Sequence, residues 1–174
     1  MTVHSAGTLP HHSYGGDSAG LVCGYLMQGS TPAMPLDSIA AAHWLQAHPQ
    51  ATPTVQGCTP RAVAAPFVWL HFNLAHAQAL RWIQRHAQLP DAFFEALKEG
   101  SHSTRIERDD DALVGVLNDA HFDFAFEPFD IATLWICVLP HVVITARAHP
   151  LRSVDALRTA VRQGYTPRSS VALL

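Results

Sequence analysis

The chain has 174 residues, of which 48% are hydrophobic and 14% charged, and its formal net charge is −3. This length fits one domain of about 100–200 residues, and the apolar content excludes an intrinsically disordered chain. The eleven Lys and Arg residues form no basic stripe and the three cysteines are widely spaced, so neither nucleic-acid binding nor a disulfide framework is predicted.

The first third of the chain predicts one strand and one helix between loops. Residues 1–18 are rich in Gly, Ser and His, which is typical of a flexible tail. The apolar run Ala19 to Met27 predicts a strand, and Gln28 to Pro35 a loop. Apolar residues within Leu36 to His48 predict a short helix, and the proline-rich stretch 49–61 predicts a second loop.

A strand and two helices are predicted next. Pro66 to Phe72 is dense in aromatic and branched residues, which favours a strand. An apolar stripe with helical spacing then predicts a helix. The stripe consists of Leu80, Ile83 and Ala87. Pro90 opens a further helix and Gly100 closes it. Its buried face is predicted to comprise Phe93, Phe94 and Leu97.

The following part of the chain is predicted to be antiparallel. Residues 103–119 indicate two strands around the acidic turn 109–111, and strict alternation over 121–127 predicts another strand. Ile131 to Leu139 and Val142 to Arg147 indicate a hairpin around a Pro-His turn.

The last predicted elements are helical. Ser153 is the expected cap of a helix that Gly164 ends. The apolar stripe of this helix is Val154, Leu157 and Val161. Thr166-Pro167 has the signature of a further helix start, which runs to the last residue without a cap. We therefore expect a flexible tail at 1–18, a folded domain at 19–164 and the start of an interrupted connecting helix at 165–174.

The order of these elements predicts the fold class. One strand, a helix pair, several antiparallel strands and a final helix indicate an α/β, or α+β-like, domain. We expect a mixed, largely antiparallel central sheet with helices packed on its faces, in α/β/α layering.

Familiar catalytic motifs do not occur in the sequence. It contains no P-loop, GxGxxG, GxSxG or HExxH pattern. We therefore predict that the chain is not an enzyme and takes no organic cofactor.

Metal binding is the one chemistry that the residues suggest. His121, Asp123 and Glu127 would share one face of the predicted strand at 121–127, and such nitrogen and oxygen ligands suit divalent cations. A solvated polar strand face explains the same pattern. Similarly, either metal binding or a compositional bias explains the twelve histidines. Core packing or capping explains His71 and His76.

An ordered set of short motifs carries a family resemblance. It begins with Trp-Leu-His-Phe-Asn at 69–73 and Leu-Pro followed by Glu-Ala-Leu at 89–97. The strand pair at 104–117 follows, and the hairpin at 134–147 with its closing helix at 153–164 completes the set. Together these motifs resemble the cytoplasmic N-terminal domain of CorA/ZntB-family divalent-cation transporters, and more closely the ZntB branch.

The resemblance implies a membrane assembly. The full protein would be a homopentamer in a bacterial inner membrane, with this domain lining a cytoplasmic funnel and Zn²⁺ or Mg²⁺ as the transported or regulatory ion. Its Gly-Met-Asn pore motif and two C-terminal membrane helices are not in this sequence. By position after Pro90, Glu95 would join an intersubunit cation site; an ordinary solvated carboxylate is the alternative.

Two metal-related functions remain open from the sequence, beside a third alternative, an enzyme of unknown class, that no motif supports. The first is a regulatory and assembly domain of a Zn²⁺/Mg²⁺ transporter, which would meet the membrane through the pore helices and self-associate. The second is a stand-alone cytosolic metal-binding module that uses His121, Asp123 and Glu127.

Overall fold

The computed structural model describes residues 16–49, 65–100, 103–120 and 131–173. In these ranges a seven-stranded sheet carries four α-helices and one 3₁₀ turn, which confirms the predicted mixed α+β fold. In chain order the elements are β1 (Leu21–Met27), β2 (Met34–Leu36), α1 (Ser38–Ala47), β3 (Phe67–Asn73), α2 (Ala79–His86), α3 (Asp91–Glu99), β4 (Arg105–Asp109), β5 (Ala112–Ala120), β6 (Ile131–Val138), β7 (Val142–Arg147), α4 (Arg152–Arg162) and the 3₁₀ turn Val171–Leu173.

The sheet consists of two antiparallel blocks joined at its centre. The strand order is β2-β1-β3-β7-β6-β5-β4. Among the described strands only β3 and β7 pair in parallel, from Val68 opposite Val142 to Asn73 opposite Arg147. The other neighbours are antiparallel. The centre is buried on both sides, since every residue of β7 and all of β3 except Asn73 are buried.

The two faces of the sheet carry separate apolar cores. On the first face, which we call the upper face, α1, α2 and α3 pack through residues such as Leu45, Ile83 and Phe93. On the opposite, lower face, Val154 and Val161 of α4 pack against strand residues that include Trp69. Helices on both faces produce the α/β/α layering.

Several local predictions for the helices are wrong in detail. Leu80, which was predicted to be buried, is 40% exposed, and its neighbour Ala79 is buried in the core instead. On α3 the buried residues are Phe93 and Ala96, while Phe94 and Leu97 are half-buried. Alanines occupy these buried positions because their small side chains let a helix approach the sheet closely. The sequence prediction had assigned the larger neighbouring apolar residues to the core instead.

The starts of two elements also differ from the prediction. Helix α4 begins at Arg152 with Leu151 in the cap position, so Ser153 lies inside its first turn. Residues 166–170 are not helical. Ser169 caps the 3₁₀ turn instead, because its hydroxyl and carbonyl oxygens both accept from Ala172 N at 3.1 Å. Strand β2 begins at Met34, within the predicted loop 28–35.

The residues around the predicted domain boundaries pack onto the domain. Asp17 accepts hydrogen bonds from the backbone N–H groups of Ala19, Leu21 and Ser38 at 2.9–3.1 Å. Leu173 is buried in the lower core. The division into segments 1–18, 19–164 and 165–174 stays a prediction, and the predicted strand at 121–127 lies outside the described residues.

Candidate functional site

A shallow cleft of about 90 Å³ lies between α3 and the β4–β5 hairpin. It contains Glu95, the residue for which the family resemblance implies a cation site. Three of the lining residues carry carboxylates and one carries a guanidinium group. The lining residues are Ala92, Glu95, Ala96, Glu99, Arg105, Glu107, Val114 and Val116.

The packing of α3 determines which way Glu95 faces. Phe93 and Ala96 are buried against the sheet, and Trp135 Nε1 on β6 donates to the carbonyl oxygen of Ala96 at 3.1 Å. Since successive helical residues are rotated by about 100°, Glu95 and Glu99 emerge on the exposed side. Pro90 precedes the helix in an extended conformation and Gly100 ends it with φ +69°.

Arg105 organises the charges of the cleft. Its Nη2 lies 2.8 Å from Glu99 Oε2 and its Nε lies 3.5 Å from Glu107 Oε1. Within the described part of the chain Glu95 makes no ion pair. Three carboxylates against one guanidinium leave the cleft with a net negative charge, and the Glu95 carboxylate faces solvent.

Direct metal coordination within one chain is not visible in the described ranges. No three His, Cys, Asp or Glu side chains converge there as a metal-binding group. The cleft contains the exposed carboxylate of Glu95 beside two carboxylates that form ion pairs with Arg105. Such an arrangement suits the outer hydration shell of a hard divalent cation, which keeps several of its waters.

The other candidate residues lie elsewhere. His121, Asp123 and Glu127 are outside the described residues. His76 is a local capping group, because its Nδ1 accepts from Gln78 N at 3.3 Å. His71 is 1% exposed and belongs to the lower core.

Sequence reasoning missed the neighbours of Glu95. Glu99 follows Glu95 by four residues, the spacing that places two side chains on one helix face, so this residue could have been found. Arg105 and Glu107 could not, because their approach to α3 depends on how the β4–β5 hairpin folds against that helix.

No helix within the described ranges combines the length and apolar character that a membrane span requires.

Comparison with known proteins identifies relatives among metal transporters. Residues 64–174, more than half of the chain, match the family model described as CorA-like Mg²⁺ transporter protein. The zinc transport protein ZntB of Pectobacterium carotovorum subsp. carotovorum (strain PC1) is 22% identical over 102 residues, which cover 59% of this chain and 31% of that protein.

Solved structures show the same fold. Full-length CmaX superposes with a TM-score of 0.67 at 21% identity, covering 91% of this chain and 44% of CmaX. The ZntB cytoplasmic domain from Vibrio parahaemolyticus RIMD 2210633 gives 0.59 at 19% identity, covering 89% of this chain and 55% of that one. Because they cover about nine tenths of the chain, these likenesses extend beyond residues 64–174, which the family model matches.

The chain therefore spans about a third of the length of its curated relative and about half of the solved structures. The family match contains the whole segment from Trp69 to Gly164 in which the motifs were found. By this match the chain belongs to the CorA-like Mg²⁺ transporter family.

Proposed function

We propose that this chain is the cytoplasmic regulatory and assembly domain of a divalent-cation transporter in a bacterial inner membrane. The family match over residues 64–174 carries this proposal. The likeness to a ZntB cytoplasmic domain supports the location. The named relatives concern Mg²⁺ and zinc transport, so Mg²⁺ and Zn²⁺ are the ions proposed.

The genomic test is direct. We expect the reading frame to continue beyond Leu174 into two hydrophobic helices with a Gly-Met-Asn motif between them. A stop codon directly after Leu174 in the native gene would contradict the proposal.

Glu95 is the proposed regulatory residue. A hydrated divalent cation would bridge the Glu95 carboxylate and a carboxylate of the adjacent protomer, and thereby stabilise a homopentamer. Arg105 forms ion pairs with both Glu99 and Glu107. Among the described residues, Glu95 is thus the carboxylate of the cleft that no basic side chain engages.

Sedimentation velocity of the chain with and without Mg²⁺ or Zn²⁺ tests this role. We expect the cation to raise the associated fraction in the wild type, and Glu95→Gln to remove that increase. Asp91→Asn is the matched control, since it removes a carboxylate from the first turn of the same helix outside the cleft. Equal cation-dependent association of wild type and Glu95→Gln would show that Glu95 is not the site.

The stand-alone metal-binding module stays a prediction without an observation in its favour. It depends on His121, Asp123 and Glu127, which lie outside the described residues. Calorimetric titration with Zn²⁺ tests this module. It would have to show stoichiometric binding in the wild type and none after His121, Asp123 and Glu127 are all replaced by Ala.

A further inference from the structure

Another cavity, of about 270 Å³, opens at the end of the sheet where β5 begins and β6 ends. Sites for small molecules usually measure about 300–1,000 Å³, so this cavity suits a ligand of the size of a small metabolite. Most of its lining is apolar. The apolar lining residues are Ala65, Leu113, Val138, Leu139, Pro140 and Val171.

The segment that follows α4 forms one wall of this cavity. Residues 168–171 line it. Ser170 and Leu173 of this segment are 5% and 6% exposed, and the Tyr165 hydroxyl donates to the carbonyl oxygen of Ala172 at 3.2 Å. These contacts hold the segment against the domain, so the cavity has a wall on the strand side and a second wall on the segment side.

One side chain of each charge lines the cavity, and the two belong to different walls. Asp111 comes from the β4–β5 turn, and Arg168 comes from the segment after α4. Both residues are exposed, so they lie where the cavity meets solvent. Neither makes an ion pair with a residue that the structure describes. The cavity therefore combines an apolar interior with an unpaired carboxylate and an unpaired guanidinium group at its mouth.

We propose that this cavity binds a free α-amino acid with an apolar side chain. The Arg168 guanidinium group binds the α-carboxylate, for which its forked N–H donors are well suited. The Asp111 carboxylate accepts hydrogen bonds from the α-ammonium group. The apolar side chain of the ligand packs inside the cavity against Leu113 and Val138.

The pair of opposite charges selects this class of ligand. A simple carboxylate would pair with Arg168 but would bring its negative charge toward Asp111, and a simple amine would meet the reverse conflict. Unfavourable contacts of this kind exclude wrong partners, just as attractive contacts select the right one. An α-amino acid satisfies both side chains and leaves the net charge of the site unchanged.

This cavity is separate from the cleft that contains Glu95. Leu113 and Val138 belong to the lower core, whereas Glu95 lies on α3 of the upper face. No metal ligand is needed for an amino acid to bind here. Binding at the cavity can therefore be measured in the presence of a chelator, and its outcome leaves the proposed cation role of Glu95 untouched.

Titration of the isotope-labelled chain with phenylalanine, followed by nuclear magnetic resonance, tests the proposal. We expect saturable shifts of the amide signals of Leu113, Arg168 and Val171, because these residues line the cavity. 3-Phenylpropionate, which lacks the ammonium group, and phenethylamine, which lacks the carboxylate, should each bind about threefold more weakly. Glycine has both charges but no apolar side chain, and it should bind at least about tenfold more weakly.

Two substitutions assign the charges. Asp111→Asn should remove the preference for phenylalanine over 3-phenylpropionate, and Arg168→Gln should remove the preference for phenylalanine over phenethylamine. Both variants should fold, because Asn suits a turn as well as Asp does and Arg168 is exposed. Asp91→Asn and Arg85→Gln change exposed charges on the helices of the upper face. They are the matched controls and should bind phenylalanine as the wild type does.

The wild type alone can overturn the proposal. It fails if roughly 10 mM phenylalanine causes no saturable shift, or if the shifts lie away from the cavity. Equal binding of phenylalanine and 3-phenylpropionate would also contradict it, since the site would then recognise carboxylates in general. An unchanged ligand preference in Asp111→Asn would show that Asp111 does not contact the ammonium group and would overturn the assignment.

Discussion

At the scale of single residues, the Thr145 hydroxyl joins two buried rings. It accepts from Trp69 Nε1 at 2.9 Å and is hydrogen-bonded to His71 Nδ1 at 2.9 Å, and both rings are almost completely buried. No water can replace the hydroxyl at such a depth without opening the core. The contribution of this residue to stability therefore lies in the two buried ring nitrogens that it satisfies more than in its own burial.

Thr145→Val should reveal this contribution. The side chain keeps its shape, but the two buried ring nitrogens lose their hydrogen-bond partner, and each buried polar group left unsatisfied costs about 1–3 kcal/mol. We expect the free energy of unfolding to fall by about 2–6 kcal/mol in urea denaturation. Thr145→Ser keeps the hydroxyl and should cost only about 1 kcal/mol for the lost methyl group. Equal losses in the two variants would contradict this explanation.

The sequence could locate Glu95 but not the chemistry around it. The family resemblance singled out Glu95 by its position after Pro90, and the structure places that residue on the exposed side of α3. The ion pairs of Arg105 and the buried Nε2 of His71, which has no hydrogen-bond partner among the described residues, depend on strand register. A shift of one residue would turn these side chains to the opposite face.

At the scale of elements, α3 shows how one helix is held against the sheet. Phe93 is fully buried, while its neighbour Phe94 is half-buried and meets the Phe93 ring edge-on at 5.6 Å between centroids. Two adjacent residues of the same type thus differ in how much water they exclude. They form a natural matched pair for measuring how strongly α3 is anchored.

Phe93→Ala should destabilise the fold far more than Phe94→Ala. Emptying a fully buried phenylalanine site costs about 3–5 kcal/mol. Truncating the half-buried ring removes less apolar surface from water and should cost about 1–2 kcal/mol. Urea denaturation of the two variants measures the difference. A cost for Phe94→Ala equal to that of Phe93→Ala would show that both rings anchor the helix.

Elements with strong local signals were predictable. The β4–β5 turn has Asp110 with φ +49°, a conformation that Asp tolerates. The acidic run at 109–111 predicted this turn from the sequence. The three-residue strand β2 was not predictable, since its residues Met34, Pro35 and Leu36 form a strand only because β1 pairs with them. The Thr166-Pro167 signal failed because Ser169 supplies a competing cap three residues later.

At the scale of the whole molecule, stability is linked to pH through buried histidine. The folded state holds the pKa of His71 near 3, well below its usual value of 6.5. An unfolded chain binds a proton there as the pH falls below about 6.5, and the folded chain does not. The native state therefore loses stability between about pH 6.5 and 3, with a slope from this group of about 1.4 kcal/mol per pH unit.

His71→Asn should remove that slope. Urea denaturation in the presence of a chelator, between pH 6 and 4, should show the wild type losing about 1.4 kcal/mol more per pH unit than the variant. Burial also lowers the pKa of His86 and His141, so the wild-type profile contains their contributions, which cancel in the difference. Parallel profiles for the two proteins would mean that His71 is accessible to protons in the native state.

The parallel pairing of β3 with β7 has a consequence for the synthesis of this protein. Strand β3 leaves the ribosome first, but β7, which covers its second edge, begins roughly 70 residues later, which takes roughly 4–14 seconds at about 5–20 residues per second. During that interval β3 presents an open edge that includes Phe67, Val68 and Trp69, and such edges recruit other chains. The edge of β3 is thus most open to pairing with other chains while this protein is still being translated.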